Sequence, residues 1–227
     1  MLARILNRIV RPMGLRCVQA PVIKPVPELS IRHLQNSRVV SNRYEMLEYL
    51  PKNGVVAEVG VAFGRYTRKI LEILHPAKFV AIDTFELDKT SWSGHHAYRD
   101  TLGDLGHEAY YRQKFQDRID NGSFIIKKGY SHVKLMEFDD AYFDMIYIDA
   151  AHDYASVKQD LAAANVKIKP DGYIVLNDYT LMDPLLLQPY GIVQAVHEFC
   201  LQEGWEIRYL GLHPYMFCDV ALTKLPG

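Results

Sequence analysis

The sequence predicts an α/β protein with a doubly wound, mostly parallel seven-stranded sheet and helices on both faces. Two observations support this prediction. Short apolar runs alternate along the chain with segments whose apolar residues recur at helical spacing, and this order is typical of parallel strands joined by crossover helices. The run at 143–150 is apolar almost throughout, as expected for a strand that is covered on both sides.

The elements follow one another in a regular order. A helix is predicted at 37–50, because Pro51 ends the helical pattern. Further helices are expected at 65–74, 157–168 and 192–199. Proline and glycine at 170–172 indicate a turn. The predicted strands lie at 55–61, 79–85, 124–128, 143–150, 173–176, 205–212 and 217–225.

The N-terminal residues, 1–36, differ from the predicted domain at 37–227. Apolar residues with helical spacing are opposed by Arg4, Arg8 and Arg11, which predicts a short amphipathic basic helix. A linker with three prolines follows it. Two interpretations stay open. The helix docks on its own domain or on a second subunit of a homodimer, or it makes a peripheral contact with an anionic membrane.

Composition narrows the class of protein. The 227 residues fit one large domain, and a net charge of −1 argues against a nucleic-acid partner. Cys17, Cys200 and Cys218 are too far apart in sequence to suggest a disulfide framework or a zinc site. No apolar run reaches the roughly 18 residues that span a bilayer, and arginines interrupt any secretory signal pattern. We therefore expect a cytoplasmic location.

A glycine-containing motif lies where the strand at 55–61 meets the following helix. It includes Glu58, Gly60, Ala62 and Gly64. Glycines at such a junction allow a tight turn and a close approach of the backbone to a ligand. A dinucleotide-binding turn or a purely structural turn has a similar pattern. The acidic Glu58 before the first glycine favours a cationic ligand over a pyrophosphate.

The apolar run of the next strand ends at Asp83, and Thr84, which follows it, is a further candidate for cofactor binding. A carboxylate at this strand tip can accept hydrogen bonds from both hydroxyls of a ribose. Asp83 therefore supports an adenosine-containing ligand, although it does not distinguish between cofactors. A solvated carboxylate at a strand end is the alternative.

Two carboxylates are predicted at the tips of adjacent strands. Asp149 ends the apolar run at 143–150, and Asp178 follows the strand at 173–176. Neighbouring carboxylates repel each other unless a cation lies between them, and a hard divalent ion bound through oxygen is suited to that role. His152 follows Asp149 by three residues and can reach the same place. The alternative is that Asp149 contacts a ligand directly while Asp178 makes hydrogen bonds.

The segment 86–106 lacks clear periodicity and contains Trp92, His95 and His96. A connection of this length inside a domain is usually functional or disordered. It follows the second strand, whose carboxyl end lies on the ligand side of such sheets. We predict a substrate lid, with a plain surface insertion as the alternative. Tyr154 and Tyr179 are further candidates for substrate contact.

From about residue 55 to its end, the chain resembles the class I S-adenosylmethionine (SAM)-dependent methyltransferases, and this resemblance implies a Rossmann-like fold with an antiparallel last strand. The segment 58–64 resembles the family's first motif, Asp83 its ribose-binding acid, and 143–149 its motif IV strand. The resemblance implies SAM as the cofactor. It also implies that Gly129, Tyr130 and Ser131 contact the adenine.

The segment 148–154 is further similar to small-molecule O-methyltransferases, including catechol O-methyltransferase and the sugar and antibiotic O-methyltransferases. That similarity implies Mg²⁺ bound by Asp149 and Asp178. His152 stands where the catechol enzyme has a lysine base. Asn177 is a candidate third ligand, because Tyr179 occupies the position of the family's asparagine. Ala62 replaces a glycine that is frequent in the first motif.

The resulting hypothesis is a SAM-dependent methyltransferase that acts on a hydroxyl of a sugar, phenolic or natural-product acceptor with the help of a divalent metal. Asp149 and His152 would be the catalytic residues. The alternatives are a metal-independent N- or O-methyltransferase, a nicotinamide-dependent oxidoreductase, a catalytically silent SAM-binding protein and a nucleic-acid methyltransferase.

Overall fold

The computed structural model describes residue 14 and residues 22–89, 101–183 and 187–226. The predicted amphipathic helix lies outside this part of the chain. So does the centre of the predicted lid, with Trp92, His95 and His96. No helix of the described residues is long and apolar enough to cross a membrane.

An eight-stranded sheet forms the centre of the molecule, in the order β1-β9-β10-β6-β5-β2-β3-β4. Strand β10 is antiparallel to both of its neighbours, and the other pairs are parallel. The strands are β1 (Arg38–Val40), β2 (Val55–Val59), β3 (Lys78–Asp83), β4 (Phe124–Lys128), β5 (Phe143–Ile148), β6 (Ile168–Leu176), β9 (Trp205–Gly211) and β10 (Asp219–Lys224). A separate hairpin pairs β7 (Met182–Asp183) with β8 (Gln188–Pro189).

Helices cover both faces of the sheet. They are α1 (Arg43–Glu48), α2 (Arg65–Leu74), α3 (His107–Lys114), α4 (Gln116–Asp120), α5 (Ser131–Leu135), α6 (Tyr154–Lys167) and α7 (Ile192–Glu203), with short 3-10 turns at Ile31–His33 and Gly103–Leu105. Apolar residues of α5, α6 and α7 pack on one face. Those of α1, α2 and α3 pack on the other.

The chain reverses direction across the sheet between β2 and β5. From β2 it proceeds outward to β3 and β4, whereas β5 lies on the other side of β2 and leads to β6. In open α/β sheets, the crevice outside the carboxyl ends of the strands at such a reversal is where ligands bind. The topology therefore places a ligand site beside the ends of β2 and β5.

The structure confirms the predicted doubly wound α/β class, the helices on both faces and the antiparallel last strand. The count of seven strands is wrong, because β1 pairs in parallel with β9 and adds an eighth. The helix predicted at 37–50 corresponds to α1, which begins only at Arg43. Asn42 ends the extended segment and caps the helix by accepting hydrogen bonds from the backbone N–H groups of Tyr44 and Glu45.

The turn predicted at 170–172 lies inside β6. Phe143 pairs with Ile168, and the next paired residues are Met145 and Tyr173. The residues between these pairs on β6 therefore form a bulge, so proline and glycine interrupt the ladder without ending the strand.

The segment that leads into the domain is attached to it. The carbonyl of Pro27 accepts a hydrogen bond from Nδ1 of His197 on α7, at 2.7 Å. Asn36 donates to Glu206 on β9, and Leu29 packs against the core. The division of the chain at residue 36 stays a prediction.

Candidate functional site

A cavity of about 590 Å³ opens at the carboxyl ends of β2, β3, β4 and β5. Its volume lies within the range of small-molecule sites. Eight of the residues predicted to bind the cofactor line it: Gly60, Ala62, Asp83, Thr84, Gly129, Tyr130, Ser131 and Asp149. The sequence analysis therefore identified most of one wall.

Further residues that line the cavity were not predicted. Ser156, Gln159 and Asp160 of α6 line the cavity, together with Leu87 and His132. Asp160 is buried and accepts a hydrogen bond from the Ser131 hydroxyl. Burial raises the pKa of this carboxyl above its ordinary value. The signal in the sequence was Asp160 itself, a carboxylate within the apolar pattern of a helix.

Gly60 allows two strand ends to approach each other. Its φ is +80°, and a Cβ atom at this position would lie 1.9 Å from the carbonyl oxygen of Asp149. The N–H of Gly60 donates to the carbonyl of Ile82 on β3. A side chain here would push apart the ends of β2 and β5, which are the two sides of the cavity.

Asp83 organises the loop that follows β2. Its Oδ2 accepts a hydrogen bond from the N–H of Val61 at 2.8 Å, and its Oδ1 accepts one from Phe85 at 2.7 Å. A carboxylate has about four acceptor positions, so two remain for a ligand in the cavity. The position is compatible with the predicted contact to ribose hydroxyls.

Glu58 and Gly64 do not line the cavity. Glu58 is 1% exposed and accepts a hydrogen bond from the Thr67 hydroxyl at 2.5 Å. Successive strand residues point to opposite faces of a sheet, so Glu58 faces α2 while Val59 lines the cavity. Burial raises the pKa of Glu58 well above its ordinary value. The structure therefore does not support the expected contact with a ligand cation.

His152 lies between the two strand-end carboxylates. Its Nε2 is 3.6 Å from Oδ1 of Asp149 and 3.5 Å from Oδ2 of Asp178. This nitrogen is buried and has no hydrogen-bond partner among the described residues. The three side chains that the sequence analysis singled out therefore meet beside the cavity, which Asp149 also lines.

Burial and nearby charges shift the pKa values of His152 and Asp178. Burial disfavours the charged imidazolium, but contact with Asp149 and the charge of Asp178 outweigh it, so the pKa of His152 is raised. Burial and the charge of Asp149 raise the pKa of Asp178 to about 6. The protonation of His152 and that of Asp178 are therefore coupled.

Tyr190 is a further residue of this site that the sequence analysis missed. Its ring stacks on His152, with centroids 4.5 Å apart and planes 27° apart. The Tyr190 hydroxyl donates to Asp183 at 3.3 Å. The N–H of Gly191 donates to the carbonyl of His152. These contacts fix the imidazole ring from the side of α7.

The tyrosines predicted to contact the substrate both reach α7. The Tyr179 hydroxyl donates to Nε2 of His197, whose Nδ1 donates to Pro27. The Tyr154 hydroxyl donates to Glu198. Their hydroxyls therefore hold the segment before the domain and α7 in place.

The described residues contain no group of three or more His, Cys, Asp or Glu side chains that could hold a metal ion. The N–H of Asn177 donates to the carbonyl of Ile148, which keeps this residue at the strand end. The ring of His152 lies between the carboxylates, with Nε2 3.6 Å from Asp149 Oδ1 and 3.5 Å from Asp178 Oδ2. The predicted Mg²⁺ site thus has no support from the geometry.

Comparisons with known proteins agree on the fold. The chain aligns with a tRNA methyltransferase, TrmK of B. subtilis, at 14% identity and a TM-score of 0.51, covering 82% of this chain and 67% of that one. A protein described as a putative rRNA methylase from Clostridium thermocellum matches at 12% identity and a TM-score of 0.56. That alignment covers 82% of this chain and 98% of the other one. The pyocyanin biosynthetic protein PhzM matches at 14% identity and a TM-score of 0.51. That alignment covers 80% of this chain and 53% of PhzM.

At these identities the solved structures establish the fold alone. A search of curated proteins found no match. A family model described as "Methyltransferase domain" matches residues 57–179, more than half of the chain. That range includes Gly60, Asp83, Asp149 and His152. The chain therefore belongs to the methyltransferase family, which implies S-adenosylmethionine as its cofactor.

Proposed function

We propose that the protein transfers a methyl group from SAM to a hydroxyl group of a small-molecule acceptor, with His152 as the general base. The observation that supports this most is the position of His152 Nε2. It lies beside Asp149, which lines the cofactor cavity, and it has no hydrogen-bond partner among the described residues.

The cavity fits the cofactor in size and in the character of its walls. Gly60 lines the cavity and lets the ends of β2 and β5 approach each other there, and Asp83 presents free acceptor positions at a strand tip. When bound, SAM supplies a methyl group on a cationic sulfonium, which becomes a neutral thioether after transfer. Glu58 faces away from the cavity, whose acidic lining side chains are Asp83, Asp149 and Asp160.

In this proposal the acceptor hydroxyl donates a hydrogen bond to Nε2 of His152. As the oxygen forms its bond with the methyl carbon and the sulfur–carbon bond breaks, the hydroxyl proton passes to Nε2. Asp149 and Asp178 stabilise the imidazolium that results. Tyr190 keeps the ring in position by stacking, which serves the near-attack geometry that methyl transfer requires.

Metal assistance is the second form of this proposal, taken from the similarity to catechol O-methyltransferase. Asp149, Asp178 and the Asn177 amide would hold the ion, which would lower the pKa of a bound hydroxyl. His152 would then have to leave the space between the carboxylates. The geometry favours the form without metal.

The test is the release of S-adenosylhomocysteine in the presence of acceptor panels. We expect turnover with phenols or sugars, and loss of most turnover in His152→Ala, since general bases typically contribute 10²–10⁴-fold. The matched control is His75→Ala, an exposed histidine at the end of α2. Turnover confined to amines or to RNA would contradict the proposed acceptor class.

A further inference from the structure

Arg43, the first residue of α1, is held between aromatic side chains. Its guanidinium carbon lies 4.5 Å from the ring centroid of Tyr66 and 5.6 Å from that of Tyr44. Its Nη1 donates to the hydroxyl of Tyr147 at 3.3 Å. The side chain is therefore half-buried in a defined position, unlike a mobile surface arginine.

These residues lie at the same edge of the sheet as the proposed methyl-transfer site. Tyr147 precedes Asp149 by two positions on β5. Asp219 begins the antiparallel β10 and so lies at the carboxyl ends of its neighbours. The residue before it, Cys218, accepts a hydrogen bond from the N–H of Tyr179, next to Asp178. Arg43 is thus close enough for its charge to act on Asp178.

The charge of Arg43 is not neutralised by an ion pair. Among the described residues, no carboxylate lies within 4.0 Å of its guanidinium nitrogens. Asp219 is separated from it by the Tyr147 hydroxyl, which donates to Asp219 Oδ2 at 2.8 Å. A guanidinium has five N–H donors, and the bond to Tyr147 uses one of them. Most of its donors therefore remain for a ligand.

The tyrosine ring on which Arg43 packs, that of Tyr66, carries a second unsatisfied donor. The Tyr66 hydroxyl is buried and has no hydrogen-bond partner in the part of the chain that the structure describes. Buried hydroxyls without partners are rare, because each costs free energy to leave unsatisfied. The guanidinium of Arg43 and the Tyr66 hydroxyl are thus unused donors at this end of the sheet, and an anionic ligand is the kind of group that would satisfy them.

We propose that Arg43, together with Tyr66, binds a carboxylate or phosphate group of the methyl acceptor, so that the preferred acceptors are hydroxylated acids. The planar fork of an arginine matches the two oxygens of either group. This inference rests on the proposed function, because it concerns the acceptor of the same site. Binding of the anionic group would hold the acceptor by one end while its hydroxyl faces His152.

The experiment measures anion binding directly, in protein saturated with S-adenosylhomocysteine. Salicylate and glycerol phosphate are titrated at constant ionic strength, with salicylamide and glycerol as their neutral counterparts. The Nε–H resonance of Arg43, assigned through Arg43→Lys, reports the contact. We expect a saturable shift with salicylate, glycerol phosphate or both, which identifies the anion class, and none with the neutral compounds. No saturable shift with either anion would overturn the proposal.

Variants separate recognition from stability. Arg43→Gln should weaken binding of the anion by about tenfold or more, as loss of a charge-assisted hydrogen bond predicts, and Tyr66→Phe should weaken it less. The control is Arg38→Gln. The guanidinium carbon of Arg38 lies 4.3 Å from the ring centroid of Tyr49, but Arg38 is exposed on β1. All three variants should retain affinity for S-adenosylhomocysteine. Equal anion affinity in Arg43→Gln and wild type would refute the subsite.

The two proposals fail differently. Anion binding at Arg43 without transfer to any hydroxyl would refute the proposed function and leave the anion site in place. Transfer to salicylamide as efficient as transfer to salicylate would refute the anion site and leave the function.

Discussion

The Nε2 atom of His152 lies 3.5 Å from Oδ2 of Asp178, and this contact joins the two strand ends at the centre of the proposed methyl-transfer site. Together with Asp149 it raises the pKa of the imidazole despite burial, which acts in the opposite direction. A base must be neutral to accept a proton, so activity should fall at low pH as His152 becomes protonated.

Asp178→Asn tests this coupling through the pH–rate profile. Removing a nearby negative charge lowers the pKa of the histidine, so the acid limb of kcat should move to lower pH by about one unit. The wild-type limb should lie above the ordinary histidine value of 6.5. An acid limb that stays in place in Asp178→Asn would show that His152 is not the titrating base.

Glu58→Gln tests the position of the acid in the glycine-containing motif. Because Glu58 is buried, faces Thr67 and has a pKa raised well above the ordinary value, the neutral amide is a close substitute. We expect SAM affinity to change less than about twofold, which is well below the effect of losing one hydrogen bond. Glu58→Ala is the control, and it should lower the unfolding temperature by removing the buried hydrogen bond to Thr67 and leaving a cavity in the core. A large loss of SAM affinity in Glu58→Gln would mean that the carboxylate charge acts on the cofactor.

Gly60→Ala should disrupt the cavity. The added methyl group would lie 1.9 Å from the Asp149 carbonyl oxygen, at a φ of +80°. Gly122→Ala is a matched control. The φ of Gly122 is +76°, but no atom lies within 4 Å of the position that its Cβ would take. Backbone strain alone costs about 1 kcal/mol, so chemical denaturation should show a clearly larger loss of stability for Gly60→Ala. Equal losses in the two variants would contradict the packing of β2 on β5.

Chelation distinguishes the two forms of the mechanism. If His152 is the base and lies between the carboxylates with no metal there, EDTA should leave transfer to a hydroxyl acceptor unchanged. Measurement of initial rates before and after dialysis against EDTA checks this. Loss of activity that added Mg²⁺ restores would establish the metal form, with Asp149 and Asp178 as ligands.

Much of the fold follows from local patterns in the sequence. The apolar runs predicted most strands to within a few residues, and α2 has the predicted bounds. Asp83, Asp149 and Asp178 were placed correctly at one edge, because the carboxyl ends of parallel strands meet there. The eighth strand was missed because the two valines of β1 adjoin a helical pattern, and only pairing with β9 makes that segment a strand.

Other features depend on tertiary contacts that periodicity does not contain. The alternation of a strand is visible in sequence, but which face Glu58 joins depends on the position of α2. Asp160 and Gln159 line the cavity only because α6 packs across the end of β5. Tyr190 reaches His152 through a loop with no sequence signal of its own.

The most direct test of the account is calorimetric titration of the purified protein with SAM, and with NAD as the competing cofactor. We predict binding of SAM at one site and no binding of NAD. Asp83→Asn should weaken SAM binding by roughly tenfold, because hydrogen bonds to a charged acceptor contribute about 1.5–3 kcal/mol. Binding of NAD without binding of SAM would contradict the assignment of the cavity to S-adenosylmethionine.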